Sequence, residues 1–227
     1  QTIFANQPMI DHVLTSASIY LTEFVAAERR SSERNEKFQS FLTCAGHRLE
    51  MSQIILHSGS VWSTRVQGNG LFFLPFIGSL DLCDSTGNQY KIAPEELMFC
   101  PTIEACEFQC INGFDRDIVF YAFHFFADAD NLDQPAQTSF KLESKNMLFG
   151  AGLMNHWKMG VFDSRIKSKL VLKKEASLFV TCLCGSFEFE ERLLNQGDSI
   201  YYNELQNAEF EALTEFAILL TIELNNN

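Results

Sequence analysis

With 227 residues, 46% of them hydrophobic, the chain can bury a substantial core, and its composition lies far from the polar, charge-rich signature of disorder. Seventeen Lys and Arg against 29 Asp and Glu leave a net charge of −12, which repels phosphate backbones and anionic lipid at long range, so direct nucleic-acid binding is not expected. No run approaches the roughly 18 uncharged apolar residues of a membrane span, no basic-then-apolar opening reads as a leader, and an odd number of cysteines, 7, reads as reduced thiols, so no membrane partner and a cytoplasmic location are expected.

Residues 1–37 carry the least regular pattern and are expected to form an irregular segment packing on the rest of the chain. Within them the charged patch from Glu28 to Lys37 sets Arg29, Arg30, Arg34 and Lys37 against Glu28, Glu33 and Glu36 and reads as a solvated loop or helix end. From Phe38 the signals are short apolar runs separated by turn chemistry, the mark of antiparallel β-structure. Leu71 to Leu82 ends in Asp84-Ser85-Thr86-Gly87-Asn88, a hairpin turn, and Ala93-Pro94-Glu95-Glu96 reads as another. Asp117 to Phe126 is apolar at both parities, which indicates a strand covered on both faces. Residues 38–127 thus form a first β-rich block, and 128–150, with Asp128, Asp130, Asn131, Asp133 and Pro135, form the expected linker. Residues 151–227 form a second block with strands expected at Leu178 to Cys184, Phe187 to Leu194, Ser199 to Tyr202 and Ala217 to Leu224. Both blocks share a faint repeat: a turn around a Gly, an alternating strand, a polar turn and a strand pair.

Ile77-Gly78-Ser79-Leu80-Asp81, the Asp84 to Asn88 turn and Ile92-Ala93-Pro94-Glu95-Glu96-Leu97 resemble the first barrel of the pirin-like bicupin family, which includes quercetinase-like dioxygenases. Leu183-Cys184-Gly185-Ser186-Phe187-Glu188-Phe189 and Leu193-Leu194-Asn195-Gln196-Gly197-Asp198 resemble its second. The resemblance implies a mostly β chain of two consecutive cupin barrels, 38–127 and 151–227, each a double-stranded β-helix of jelly-roll type. It also implies a metal in the first barrel, held by a His pair before the Gly78 turn and by a His and a Glu after the Pro94 turn. Counted from Gly78 and Asp84, those four positions fall at Thr64, Val66, Phe108 and Cys110, none of which is His or Glu.

The residues lead to the same place without the family. There are 5 histidines, His12, His47, His57, His124 and His156, and none lies two positions from another, so no single strand can present a pair of imidazoles on one face. His124, inside an apolar strand, reads as a core histidine. Cys100, Cys106 and Cys110 lack the spacing of a zinc knuckle and read, like Cys182 and Cys184, as core residues. Glu104 and Glu107 read as solvated loop carboxylates. With strand parity unbroken, Thr64, Val66, Phe72, Leu74, Phe76, Phe108 and Cys110 would line the first lumen as an apolar pocket. The expected function is therefore that of a non-catalytic binding or protein-interaction module with no metal cofactor, taking a small apolar ligand or a protein partner. The alternative is a quercetin 2,3-dioxygenase-like enzyme holding iron, nickel, copper or zinc in a displaced site.

Overall fold

The computed structural model describes residues 17–21, 27–42, 48–67, 70–102, 105–125, 134–152, 154–173 and 176–225, which form 21 strands and no helix. The strands of the first half are β1 (Ala17–Tyr20), β2 (Ala27–Arg30), β3 (Arg34–Leu42), β4 (Arg48–Leu56), β5 (Val61–Val66), β6 (Gly70–Ile77), β7 (Leu80–Asp84), β8 (Gln89–Ile92), β9 (Glu96–Cys100), β10 (Cys106–Ile111) and β11 (Ile118–Phe125). They are followed by β12 (Ala136–Ser139), β13 (Phe149–Ala151), β14 (Met154–Phe162), β15 (Lys167–Val171), β16 (Ala176–Cys184), β17 (Ser186–Phe189), β18 (Arg192–Asn195), β19 (Ser199–Tyr202), β20 (Asn207–Ala212) and β21 (Ala217–Asn225).

These strands build two jelly-roll barrels. In the first, the sheet β12-β9-β6-β11-β4-β3-β2 faces the sheet β5-β10-β7-β8; in the second, β1-β19-β16-β21-β14-β13 faces β15-β20-β17-β18. Each barrel encloses its own apolar lumen, around Trp62, Phe73, Phe108 and Phe120 in one and around Phe162, Phe187, Phe189 and Phe210 in the other. A third core lies between the two large sheets, where Phe72, Leu74, Tyr121 and Phe123 of the first meet Trp157, Phe179, Tyr201 and Ile222 of the second. Central strands of the large sheets are therefore buried on both faces, and this explains why β11 is apolar at both parities: Ile118, Phe120 and Ala122 enter the first lumen, and Tyr121, Phe123 and Phe125 enter the core between barrels. Across the same junction, buried Gln39 donates from Nε2 to the carbonyl of Gly197 at 2.8 Å.

Turns follow the local chemistry. The Asp84 carboxylate accepts from the backbone of Thr86 and Asn88, both at 2.9 Å, and from the Tyr90 hydroxyl at 2.9 Å, while Gly87 takes φ 91°. Pro94 and Glu95 (φ 69°) form the central pair of a turn closed by Glu96 N–H to the Ala93 carbonyl at 3.1 Å.

Three sequence expectations need correction. The charged patch is no solvated loop or helix end but the hairpin β2–β3 turning at Ser31 to Glu33, and its register sets Glu28 opposite Lys37 and Arg29 opposite Glu36. A charged sequence on the strand that ends a sheet suits an edge, where charge discourages pairing with another chain. The described part of the expected linker contributes β12, which pairs with β9 in the first sheet, and β13, which pairs with β14 in the second. Its residues 128–133 lie outside the described set. Finally, Phe187 to Leu194 is two strands, β17 and β18, joined through Glu190 and Glu191 at φ 47° and 60°.

Candidate functional site

The first lumen changes character along its length, and the register shows how. On its inner face β4 presents Leu56, Ile54, Ser52 and Glu50, set opposite Ile118, Phe120, Ala122 and His124 of β11. The pair β5–β10 sets Trp62 opposite Cys110, Thr64 opposite Phe108 and Val66 opposite Cys106. One end is thus closed by large apolar groups: Trp62 meets Phe120 edge-on at 5.3 Å between centroids, and Phe73 meets Phe108 at 5.6 Å. Beyond them the barrel opens into a cavity of about 710 Å³ whose walls include Glu36, Arg48, Glu50, Ser52, Trp62, Thr64, Val66, Leu71 and His124. That volume suits a small molecule.

Of the residues expected to line the lumen, Thr64 and Val66 border this cavity, while Phe108 and Cys110 lie beneath it, 2% and 0% exposed. Phe72, Leu74 and Phe76 do not enter the lumen at all. Phe72 and Leu74 belong to the core between the barrels and Phe76 packs against it, whereas Leu71 and Phe73 face the lumen. The cause is that β5 belongs to the small sheet and β6 to the large one, so alternation counted through their connection is not preserved. Gly68 and Asn69, where the change falls, lie outside the described residues, as do His12, Cys44, His47 and Glu104.

The polar part of the mouth was not assembled by sequence reasoning. The Glu36 carboxylate, 6% exposed, accepts from Ser52 Oγ at 2.9 Å, with Arg34 Nη2 at 3.7 Å. Glu50 forms an ion pair with Arg48, and its other oxygen stands 4.0 Å from His124 Nδ1. Burial pushes the His124 imidazole below its ordinary value; Glu50 opposes this and Arg48 reinforces it. His124, read as a core histidine, is 9% exposed at the cavity wall. The signal available in sequence was the inward series Arg48, Glu50, Ser52, Ile54, Leu56, whose polarity falls along one strand.

At the four positions that the resemblance implies, a metal would find poor ligands. Thr64 offers a hydroxyl, Val66 and Phe108 offer nothing, and burial pushes the Cys110 thiol up to about 12, so the thiolate a metal needs is disfavoured. Among the described residues no group of three or more His, Cys, Asp or Glu side chains comes together in a way that could hold an ion.

No family model matches the sequence. No curated protein matches it either. Solved structures do. The chain is similar to the pirin YhhW of Escherichia coli, crystallised in complex with nickel(II), at 10% identity with a TM-score of 0.76, covering 92% of this chain and 99% of that one. This chain has the bicupin fold. The bicupin is also similar to quercetin 2,3-dioxygenase from Acinetobacter baumannii, at 12% identity and a TM-score of 0.56 over 85% of this chain and 79% of that one. The 7S globulin of Momordica charantia, 10% identical, reaches a TM-score of 0.65 over 92% of this chain and 84% of that one. The two-barrel plan thus accompanies proteins as different as a pirin and a globulin, and function has to be argued from the site. Among the bicupin's described residues, no helix is long and apolar enough to cross a membrane.

Proposed function

We propose that this bicupin is a non-catalytic, cytoplasmic binding protein that takes a small ligand in the mouth of its first barrel. The observation that carries this reading is the pairing of a packed floor with an open, partly polar mouth. The Phe108 ring stands at a position where the family's resemblance implies a histidine ligand and packs against Phe73, while the space above it remains large enough for a ligand. Placing a divalent cation beside Val66 and Phe108 would strip its hydration without returning charged partners, which is strongly unfavourable. Cys83, Cys100, Cys106, Cys110, Cys182 and Cys184 are free thiols, in keeping with a reducing compartment.

Elemental analysis of protein purified without chelator, together with oxygen uptake in the presence of quercetin, tests the reading. The expected result is no stoichiometric iron, nickel, copper or zinc and no oxygen consumption. One equivalent of metal that survives dialysis and is lost in Cys110→Ala would overturn it in favour of a dioxygenase-type enzyme.

A further inference from the structure

Polar groups at the mouth of the first barrel fall into two kinds. The charged ones are matched by opposite charge from the protein itself. Glu36 is ion-paired with Arg34 and stands opposite Arg29 in the β2–β3 register, Glu50 is ion-paired with Arg48, and Arg65 stands opposite Glu107 across the β5–β10 pair. The neutral ones are not matched: among the described residues nothing hydrogen-bonds the side chains of Ser40, Thr64 and Gln67, which all border the cavity. Ser52 donates to Glu36 at 2.9 Å, which leaves the lone pairs of its oxygen to accept. Leu71 and Ala122, with half-buried Val66 and Phe38, supply the apolar part of the wall, whereas Trp62, 3% exposed, offers little ring face.

An ion entering this mouth would leave water without meeting an unmatched charge of opposite sign, which is unfavourable. An uncharged ligand with several hydroxyls avoids that penalty, because each hydroxyl both donates and accepts, as the unmatched groups on the wall do. We propose that the mouth of the first barrel binds an uncharged saccharide, its hydroxyls on Ser40, Thr64, Gln67 and the Glu36–Ser52 pair and its C–H face on Leu71 and Ala122. This rests on the binding reading above and names its ligand class.

Ligand-observed NMR titration of the full chain tests it with glucose, galactose and mannose, the uronate and the amino sugar of each, and indole as a flat ligand without hydroxyls. At least one neutral sugar is expected to bind, more tightly than indole and at least about tenfold more tightly than its own uronate and amino sugar. Thr64→Val, which removes a hydroxyl and keeps the branched shape, should weaken that sugar at least about fivefold, the worth of one hydrogen bond. The comparison among ligands needs no variant, so it decides the matter even if Thr64→Val does not fold. A uronate or an amino sugar that binds as tightly as its neutral parent, or indole that binds more tightly than every neutral sugar, overturns the saccharide inference and leaves the mouth a ligand site. Sugar affinity unaltered in Thr64→Val overturns it as well. Failure of all these ligands to bind overturns both the inference and the binding reading.

Discussion

Phe108 and Asp84 are neighbours across the β7–β10 ladder and stabilise the first barrel in opposite ways. The Phe108 ring contributes by burial: at roughly 25 cal/mol per Å², a buried Phe is worth about 2 to 3 kcal/mol. Phe108→Ala should therefore lower stability by about 3 to 5 kcal/mol once the cavity left behind is included, measured by denaturant titration. An unchanged midpoint would mean that the floor beneath the cavity is not packed. Asp84 contributes through its charge. Burial alone would raise its carboxyl, but hydrogen bonds from Thr86, Asn88 and Tyr90 outweigh that and hold the group down to about 2 from an ordinary 3.8. Because the folded value lies below the unfolded one, the stabilisation is complete above about pH 4 and is lost as pH falls toward about 2. Asp84→Ala should be less stable than the parent at neutral pH, and the two should converge as acid is added. Denaturant midpoints measured across that window check it, and parallel curves would refute the assignment. Both residues were prominent in sequence, Asp84 through its turn motif and Phe108 through its place in the family pattern. Glu36 was not, because in a run of mixed charges nothing local marks which residues share the inner face.

At the level of single elements, turns were readable where glycine or proline supplied the geometry and obscure where they did not. Gly78 joins β6 to β7 and Gly185 joins β16 to β17, at φ 78° and 75°, a region costly for residues bearing a Cβ. A Cβ on Gly78 would also stand 2.7 Å from Ile118 Cγ2, so Gly78→Ala should destabilise by about 1 to 3 kcal/mol in chemical denaturation. The β17–β18 hairpin reaches positive φ at both central residues with Glu190 and Glu191, types that give no turn signal, and this is why its two strands read as one. Glu191→Gly should accordingly raise stability by about 0.5 to 1 kcal/mol in thermal melts, a change opposite in sign to that at Gly78. Strands covered on both faces were legible in β11 through apolar residues at both parities. The face of β6 was not, since parity does not survive a move from one sheet to another, and so Phe72, Leu74 and Phe76 were counted on the wrong face. What the polar mouth required was register between β3, β4 and β11, which are brought together by pairings that sequence spacing alone does not determine.

Across the whole molecule the faint repeat becomes a rule: adding ten to a strand number carries the sheet β5-β10-β7-β8 onto β15-β20-β17-β18 and the run β9-β6-β11-β4-β3 onto β19-β16-β21-β14-β13. The barrels meet through Trp157, fully buried, whose ring lies 4.7 Å from Phe72, 5.0 Å from Phe123 and 5.7 Å from Phe125 by centroid. An interface so apolar should make the barrels unfold together. Calorimetry is expected to record one transition for the parent and a destabilised, broadened or split one for Trp157→Ala, with a loss of about 3 to 5 kcal/mol. An unaltered single peak would show that the barrels are coupled elsewhere. Two edges break the rule of ten: among the described residues nothing beyond β13 matches β2, and the other edge is filled differently in the two sheets. The edge beside β9 is filled by β12, but the matching edge beside β19 is filled by β1, with Ala17 to Tyr20 paired to Tyr202 to Ser199. On the ribosome, then, the earliest of these strands emerges with no partner in existence, and it must wait while the first barrel forms around a lumen to which it does not belong. The second barrel, made last, finds its missing edge already waiting, at the far end of the chain.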